Sequence, residues 1–434
     1  MSKQNNIDKN NVEEILSLTD LQQGILYHYI KNPNSSEYHE QLSLSLICNF
    51  NVEKLQMAWN SVIENNEMLR TIFRWEKLNK PIAIVLKKHK INMEYYDLEE
   101  NDYKEEELNK IKLEDLNNRF DISSETLRIY LCKLKTNKYE MIISNHHILY
   151  DGWSNGIILK ELFHTYTLLE KDENILPYKK PKFNEFVKYL NKNNKDMHRK
   201  YWNQYLENFN KNIQNNQVTT EHNKKEISHK FNHIFSKNII NFVQSNGISL
   251  SSFFYGIWAL LTSKLTDEKD IVFGTTVSGR PEHIEDVDKI VGLFINTIPL
   301  RIRLNRNYEI IKILQDINKD LYLRKIYENT SLIDIKKACN IKGNQDLFDN
   351  IVIIENYPID IKDTQSIKID NFNINESINY KLSLEILTFK NIEFRFKYDA
   401  NLIDSKWIER ICGFLDKIIK NILSNNTINV SQIN

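Results

Sequence analysis

The chain has 434 residues, enough for two domains or one large pseudo-repeated domain. Its 58 Lys and Arg residues balance 58 Asp and Glu, so the formal net charge is zero and neither a nucleic acid nor an acidic membrane is a favoured partner. Four scattered cysteines (Cys48, Cys132, Cys339, Cys412) form no C-x-x-C pair, which argues against a disulfide framework or a zinc knuckle and fits a reducing cytoplasm. The polar stretch Met1–Asn11 lacks a signal-peptide core, and the longest apolar run, Phe253–Leu261, is too short to span a bilayer. Glycines number 10, where average usage of about 7% would give roughly 30, so the positions that keep one stand out. Gly24, Gly152, Gly156, Gly274, Gly279 and Gly292 all fall in segments singled out below.

In chain order, Thr19–Ile30 reads as a helix capped by Thr19 or Asp20. Val52–Asn65 is a second helix, with Leu55, Ala58, Trp59, Val62 and Ile63 on one face. Pro81–Leu86 and Leu127–Leu134 read as strands, the latter in a hairpin with Tyr139–His147. An amphipathic helix, Ser154–Leu169, follows. The polar stretch Lys171–Lys182, with Pro177 and Pro181, is the expected boundary between two lobes. Beyond it come helices over Lys195–Phe209, Lys237–Ser245 and Ser251–Leu265. Strands Ile271–Thr276 and Thr297–Ile302 flank a loop, Val277–Val291. A helix (Glu309–Tyr327), three strands (Asn350–Ile354, Leu382–Phe389, Glu393–Tyr398) and a last helix (Ser405–Leu423) complete the chain. Strands and helices mix in both halves, so the fold class is α/β (α+β) in two lobes. The expected division is a polar lead over 1–14, an N-terminal lobe over 15–175 and a C-terminal lobe over 176–434.

The chemistry concentrates in Asn145-His146-His147-Ile148-Leu149-Tyr150-Asp151-Gly152-Trp153-Ser154, where a strand runs out and a helix begins. Successive strand side chains point to opposite faces, so one histidine can face a cavity while its neighbour is held in the protein behind it. That alternation also argues against a zinc site built from His146, His147 and Asp151. With no nucleophilic Ser or Cys beside it, the histidine suits proton handling or charge placement. The candidate catalytic residues are His147, His146, Asp151 and Gly152.

This segment resembles the HHxxxDG core of the condensation domains of nonribosomal peptide synthetases, within the wider chloramphenicol acetyltransferase-like superfamily. Five further motifs follow the family's order: Leu18–His28, Glu67–Phe73, Ser278-Gly279-Arg280-Pro281, Val291–Thr297 and Glu355-Asn356-Tyr357-Pro358. Departures are small: Asn66 stands where the family usually has His, Thr19-Asp20 replaces a more usual Thr-Pro or Ser-Pro, and Phe183–Tyr189 matches an aromatic segment only loosely.

The resemblance implies two chloramphenicol-acetyltransferase-like lobes forming a V-shaped pseudo-dimer around a central tunnel. Val277–Val291 would be its floor loop, and a latch would lie within Glu355 to about Tyr380. It implies peptide-bond formation in secondary metabolism, such as antibiotic biosynthesis: an acceptor amine attacks an upstream thioester. Both substrates ride on phosphopantetheine arms delivered by peptidyl carrier proteins, with no cofactor or metal bound directly. An adjacent adenylation domain, a monomeric state and a cytoplasmic location are expected. His147 would be the reactive histidine, either taking the amine's proton or stabilising the tetrahedral state by hydrogen bonding, and both options stand at this point. His146 is expected to be buried and structural. Asp151 should form a buried ion pair, with Arg70 the first choice of partner and Arg280 the second. Gly152 either keeps the tunnel open for the arm or is a turn glycine. Trp153, Ser154, Ser278 and Asn296 are candidate substrate-binding residues. An epimerisation domain would also need a second-lobe glutamate in an E-x-x-H-G-R-like segment, and a heterocyclisation domain a DxxxxD core; both patterns are missing from the sequence. L-donor condensation, a starter domain loading a fatty acyl group and a stand-alone coenzyme A-dependent acyltransferase remain alternatives. The chain opens only some fifteen residues before the first motif, which gives an expectation of a synthetase that opens with this domain and takes its donor from a separate upstream protein, with a D-configured donor and an L-amino acid acceptor. It stops where the linker to an adenylation domain would begin, which gives the expectation of an excised piece.

Overall fold

The computed structural model describes residues 7–33, 35, 37–175, 180–209, 223–341, 345–355, 367–376, 380–388 and 391–433. In chain order its strands are β1 (Val12–Ser17), β2 (His39–Ile47), β3 (Thr71–Arg74), β4 (Ile82–Leu86), β5 (Met93–Asp97), β6 (Leu127–Lys135) and β7 (Lys138–His146). They continue as β8 (Lys224–Lys230), β9 (Asp270–Val277), β10 (Asn296–Arg303), β11 (Asn350–Glu355), β12 (Lys368–Asn375), β13 (Leu382–Leu387) and β14 (Glu393–Asp399). The helices are α1 (Asp20–Lys31), α2 (Val52–Asn65), α3 (Lys104–Asn117), α4 (Gly152–Glu170), α5 (Phe183–Lys192) and α6 (Lys195–Tyr205). After these come α7 (His233–Ser245), α8 (Leu250–Thr266), α9 (Ile310–Arg324), α10 (Leu332–Ala338) and α11 (Ser405–Ser424). The expected α/β (α+β) class holds.

Two compact units are present. Among the described residues the first takes 7–193, 280–294 and 367–376, and the second takes 194–279, 295–355 and 380–433. This differs from the boundary expected at 175/176, for three physical reasons. Phe183 and Phe186 of α5 pack on Phe294, with ring centroids 5.2 and 4.5 Å apart, and tie residues up to Asn193 to the first unit. Residues 280–294 return to it through Arg280, and β12 joins it by pairing with β2. Nor is the stretch before residue 15 merely a polar lead, because Val12–Ser17 is β1, antiparallel to β4.

The first unit holds a five-stranded sheet ordered β12-β2-β7-β6-β5 and a three-stranded one ordered β1-β4-β3. The β6–β7 hairpin expected from the sequence is present and antiparallel. Thr19 caps α1 reciprocally with Gln22, each side chain meeting the other's backbone N–H. α2 buries Leu55, Ala58, Trp59, Val62 and Ile63, the face its periodicity predicts, and packs against α4.

The second unit holds a six-stranded sheet ordered β10-β9-β11-β13-β14-β8, with β11 parallel to both β9 and β13. α7, α8, α9 and α11 contribute to one apolar core with residues of β9, β10, β13 and β14. The run Phe253–Leu261 lies in α8 and is buried throughout, a core segment. No helix among the described residues is long and apolar enough to cross a membrane.

Candidate active site

The site grows from the register of β7 on β2. Asn145 lies opposite Glu40 and His146 opposite His39, and the His147 N–H donates to the Tyr38 carbonyl at 2.8 Å. Alternation puts Asn145, His147 and Glu40 on one face, and Ser144, His146, His39 and Gln41 on the other. The two histidines of the motif are thus divided between the faces, as the sequence predicts.

On the His146 face the buried Asp115 of α3 accepts from Gln41 Nε2 at 2.6 Å, Ser144 Oγ at 2.5 Å, Arg128 at 3.1 Å and Tyr130 at 3.1 Å. His39 Nε2 lies 3.3 Å from the same carboxyl. Burial alone would raise the Asp115 carboxyl, but hydrogen bonds from His39, Ser144 and Gln41 hold it down to about 2. His146 is 2% exposed, its Nδ1 accepts from the Ile148 N–H at 3.3 Å and its Nε2 has no partner. Burial first, and then the charge of His147, pushes its pKa down to about 3, so it is a neutral ring inside the protein. That arrangement supports a structural role.

His147 is different. Its side chain is 16% exposed, and its Nδ1 lies 2.6 Å from a Glu40 carboxylate oxygen, off the line of the ring N–H. Burial lowers its pKa, but Glu40, with Glu376 and Asp151 adding, lifts it to about 9. Glu40, His147 and Glu376 place ligand-type atoms within 4.8 Å of one another, the one such group of His, Cys, Asp or Glu found among the described residues. A zinc ion with tetrahedral bonds of about 2.0–2.1 Å holds its ligand atoms more than ~3 Å apart, so the 2.6 Å contact is that of a direct ion pair.

Asp151 sits at the N-cap of α4, where its Oδ1 accepts from the Ser154 N–H at 3.2 Å and from Ser154 Oγ at 3.0 Å. Its Oδ2 accepts from the Phe294 N–H at 2.9 Å, and Arg280 Nη2 lies 3.3 Å from its Oδ1. The partner is Arg280, and the first choice, Arg70, is corrected. Arg70 instead closes the 3-10 turn Glu67–Arg70, pairs with Glu13 at 2.7 Å and donates to the carbonyls of Ile63 and Leu86, so its charge is spent there. Arg280 also donates to the carbonyls of Val287 and Ile290, and its guanidinium covers the Phe294 ring at 4.1 Å. The motif around Ser278–Pro281 and the one around Val291–Thr297 therefore act together, bracing the turn that carries His147.

The remaining predicted residues divide. Ser154 is fully buried, and its hydroxyl is engaged by Asp151, Arg280 and the backbone of Gly292, which makes it a brace and not a substrate contact. Trp153 is partly exposed, 5.9 Å from the Arg280 guanidinium. Gly152 begins α4 without a left-handed φ, so no turn there demands glycine. Asn296, in the second unit, is half-buried and donates its amide to the Glu328 and Thr330 carbonyls at 2.7 Å each. Ser278, also in the second unit, is exposed. Of the motif Glu355–Pro358, residues 356–358 lie outside the described residues.

Sequence reading missed Glu40, Glu376 and Tyr150. Tyr150 is fully buried with an unpartnered hydroxyl, and burial followed by the charge of Glu40 raises its pKa. The available signal was the alternation of β2, Leu42, Leu44 and Leu46 between polar residues, which marks a strand with Glu40 inside it.

Gly292 gives a local test of the brace. A Cβ built there would sit 2.3 Å from the Phe183 ring, and both backbone polar groups of Gly292 bond Ser154. Gly292→Ala should therefore destabilise the fold by about 1–3 kcal/mol through overpacking. An unchanged melting temperature would show that the ring yields freely.

The family model for the condensation domain matches residues 12–434. The chain is 30% identical to tyrocidine synthase 2 of Brevibacillus parabrevis over 98% of its own length and 12% of that protein. It is 29% identical to surfactin synthase subunit 3 of Bacillus subtilis (strain 168), again over 98% of itself, and there it spans 34% of the relative. In structure it is similar to the first condensation domain of the calcium-dependent antibiotic synthetase, with a TM-score of 0.82, 12% identity and coverage of 98% of this chain and all of the other. The starter condensation domain of rhizomide synthetase aligns with a TM-score of 0.80 at 13% identity, over 97% of each chain. Condensation domains form amide bonds by acyl transfer. With residues 12–434 matched and its histidine core braced by the family's own motifs, the chain belongs to the condensation-domain family.

Proposed function

We propose that this chain forms a peptide bond between two thioester-bound substrates, each carried on the phosphopantetheine arm of a peptidyl carrier protein, within a cytoplasmic synthetase that also holds an adenylation domain. The observation that carries the reading is His147, which stands partly exposed at the end of β7 while its neighbour His146 is sealed behind the sheet. A thioester is already activated, so the reaction needs a neutral amine, alignment and a place for developing charge. In balance, the acceptor nitrogen bonds to the donor carbonyl carbon, the carbon–sulfur bond breaks, and the amine's proton ends on the departing sulfur. His147 is the group positioned to handle that proton or that charge. Arg280 and Asp151 act behind it by fixing the turn.

The test loads one carrier protein with a donor and a second with an aminoacyl acceptor and detects the condensed thioester by mass. We expect product from the carrier-bound pair and none when free coenzyme A thioesters replace both. Turnover of coenzyme A thioesters alone would favour a stand-alone acyltransferase. Donors ending in D- and in L-residues, run in parallel, read the subtype, with the D-terminated donor expected to be preferred. A fatty acyl donor, tried beside them, is motivated by the likeness to a starter condensation domain.

A further inference from the structure

The proton-handling alternatives for His147 can be separated by what lies behind its ring. Glu40 on β2 and His147 just past β7 are diagonal neighbours on one face of the sheet. β12 pairs with the other side of β2, placing Asn375 opposite Gln41, so the next residue brings Glu376 level with Glu40. Two carboxylates from two strands thus converge on one imidazole, with Glu40 2.6 Å from Nδ1. Glu40 is 5% exposed, and its other oxygen accepts from the Asn145 amide at 3.2 Å. A buried carboxylate at that distance favours a cation beside it.

We propose that Glu40, with Glu376 beside it, is a positioning residue that holds His147 by its Nδ1 edge as an imidazolium, so that the ring acts on substrate through Nε2–H by charge and hydrogen bonding and not as the base. The proposal rests on the condensation reading of the site and specifies its chemistry. The imidazolium donates to the carbonyl oxygen as the tetrahedral state forms. When the carbon–sulfur bond breaks, the proton of the new ammonium passes to the departing sulfur and the imidazolium keeps both of its own, so the ring ends as it began and the products are an amide and a thiol. The groups whose charges act on His147 are Glu40 from β2, Glu376 after β12, His146 beside it and Asp151 before α4, whose charge Arg280 balances. The charge of Glu40 also acts on Tyr150, whose hydroxyl pKa is raised by burial first and then by that charge. The raised pKa of His147, about 9, agrees with this geometry.

The sign follows. A group that works as the cation is active below its pKa and loses activity as pH rises through it, so the wild-type rate should fall near pH 9 and hold at pH 7–8. Glu40→Gln keeps the shape and removes the charge, and the fall should move down by one pH unit or more. Glu376→Gln should move it less. Glu40→Asp should return the fall toward its wild-type place. Independently of activity, nitrogen-15 NMR of histidine-labelled protein, with the His147 signals assigned by loss in His147→Ala, should show both His147 nitrogens protonated at pH 8 in the wild type. In Glu40→Gln one of them should have lost its proton. A titration midpoint for His147 that Glu40→Gln leaves unchanged overturns the proposal, even where the wild type condenses carrier-bound substrates. The expected NMR shift without condensation overturns the functional reading and leaves the Glu40 contact standing.

Discussion

His147→Ala should reduce condensation between loaded carrier proteins by about 10²–10⁴-fold, the range that a positioned proton-transfer or charge-stabilising side chain supplies. The sequence alone invites the further expectation that the fold would not notice, because a cavity histidine contributes little packing. The structure changes that part. The ring is mostly buried and its Nδ1 edge meets a Glu40 carboxylate that is itself buried, so removing the imidazole leaves that carboxylate without its cation. The single variant should melt at a lower temperature than the wild type, at neutral pH and above. His147→Ala combined with Glu40→Gln should recover melting temperature and recover no activity. Activity of His147→Ala within about tenfold of wild type, at equal folded protein, would remove His147 from the chemistry and leave catalysis to alignment alone.

The fold was legible where burial has one face and a clean period. α1, α2, α4 and α11 match their predicted spans to within about two residues, because each buries an apolar stripe and carries a side-chain cap. β8 and β12 were not legible, being polar edge strands whose pairing is set by the neighbouring strand more than by their own residues. β2 was missed for another reason: both of its faces are buried, so Gln41, Ser43 and Glu40 are polar yet inside, held by Asp115, Glu140 and His147. The site divides along the same line. His147, Asp151 and Ser154 are near neighbours in sequence, and their places at a strand end and a helix start could be read from it, whereas Ser154 was expected to touch substrate and instead lies buried against Asp151 and Gly292. Glu40 and Glu376 reach the site through strand register, which one sequence does not print. The choice of Arg70 over Arg280 failed on a single residue: Glu13, dismissed as part of a polar lead, is the carboxylate that Arg70 holds.

That correction carries the second large effect. Asp151→Ala should cost about 3–5 kcal/mol of stability, because it leaves the buried Arg280 guanidinium without its carboxylate. About 1 kcal/mol of that belongs to the lost N-cap of α4. Arg280→Ala should cost less, since the Asp151 carboxylate keeps the Ser154 and Phe294 N–H groups and the Ser154 hydroxyl. Arg280→Ala also removes the cover over Phe294, so its loss is not purely electrostatic. The double variant should fall short of the sum by about 1–3 kcal/mol in urea unfolding, the mark of a direct pair. Asp151→Ala with Arg70→Ala should instead add within about 0.5 kcal/mol, because Arg70 spends its charge on Glu13. Additive losses for Asp151 and Arg280 would mean that each is held by the backbone around it and not by the other. Activity separates the same possibilities. If the pair works only by holding the turn beneath His147, the Arg280→Lys variant, which keeps the charge and loses the fork to Val287 and Ile290, should lose stability and activity together. A drop in activity with the melting temperature unchanged would place Arg280 nearer to the reacting atoms than its present contacts do.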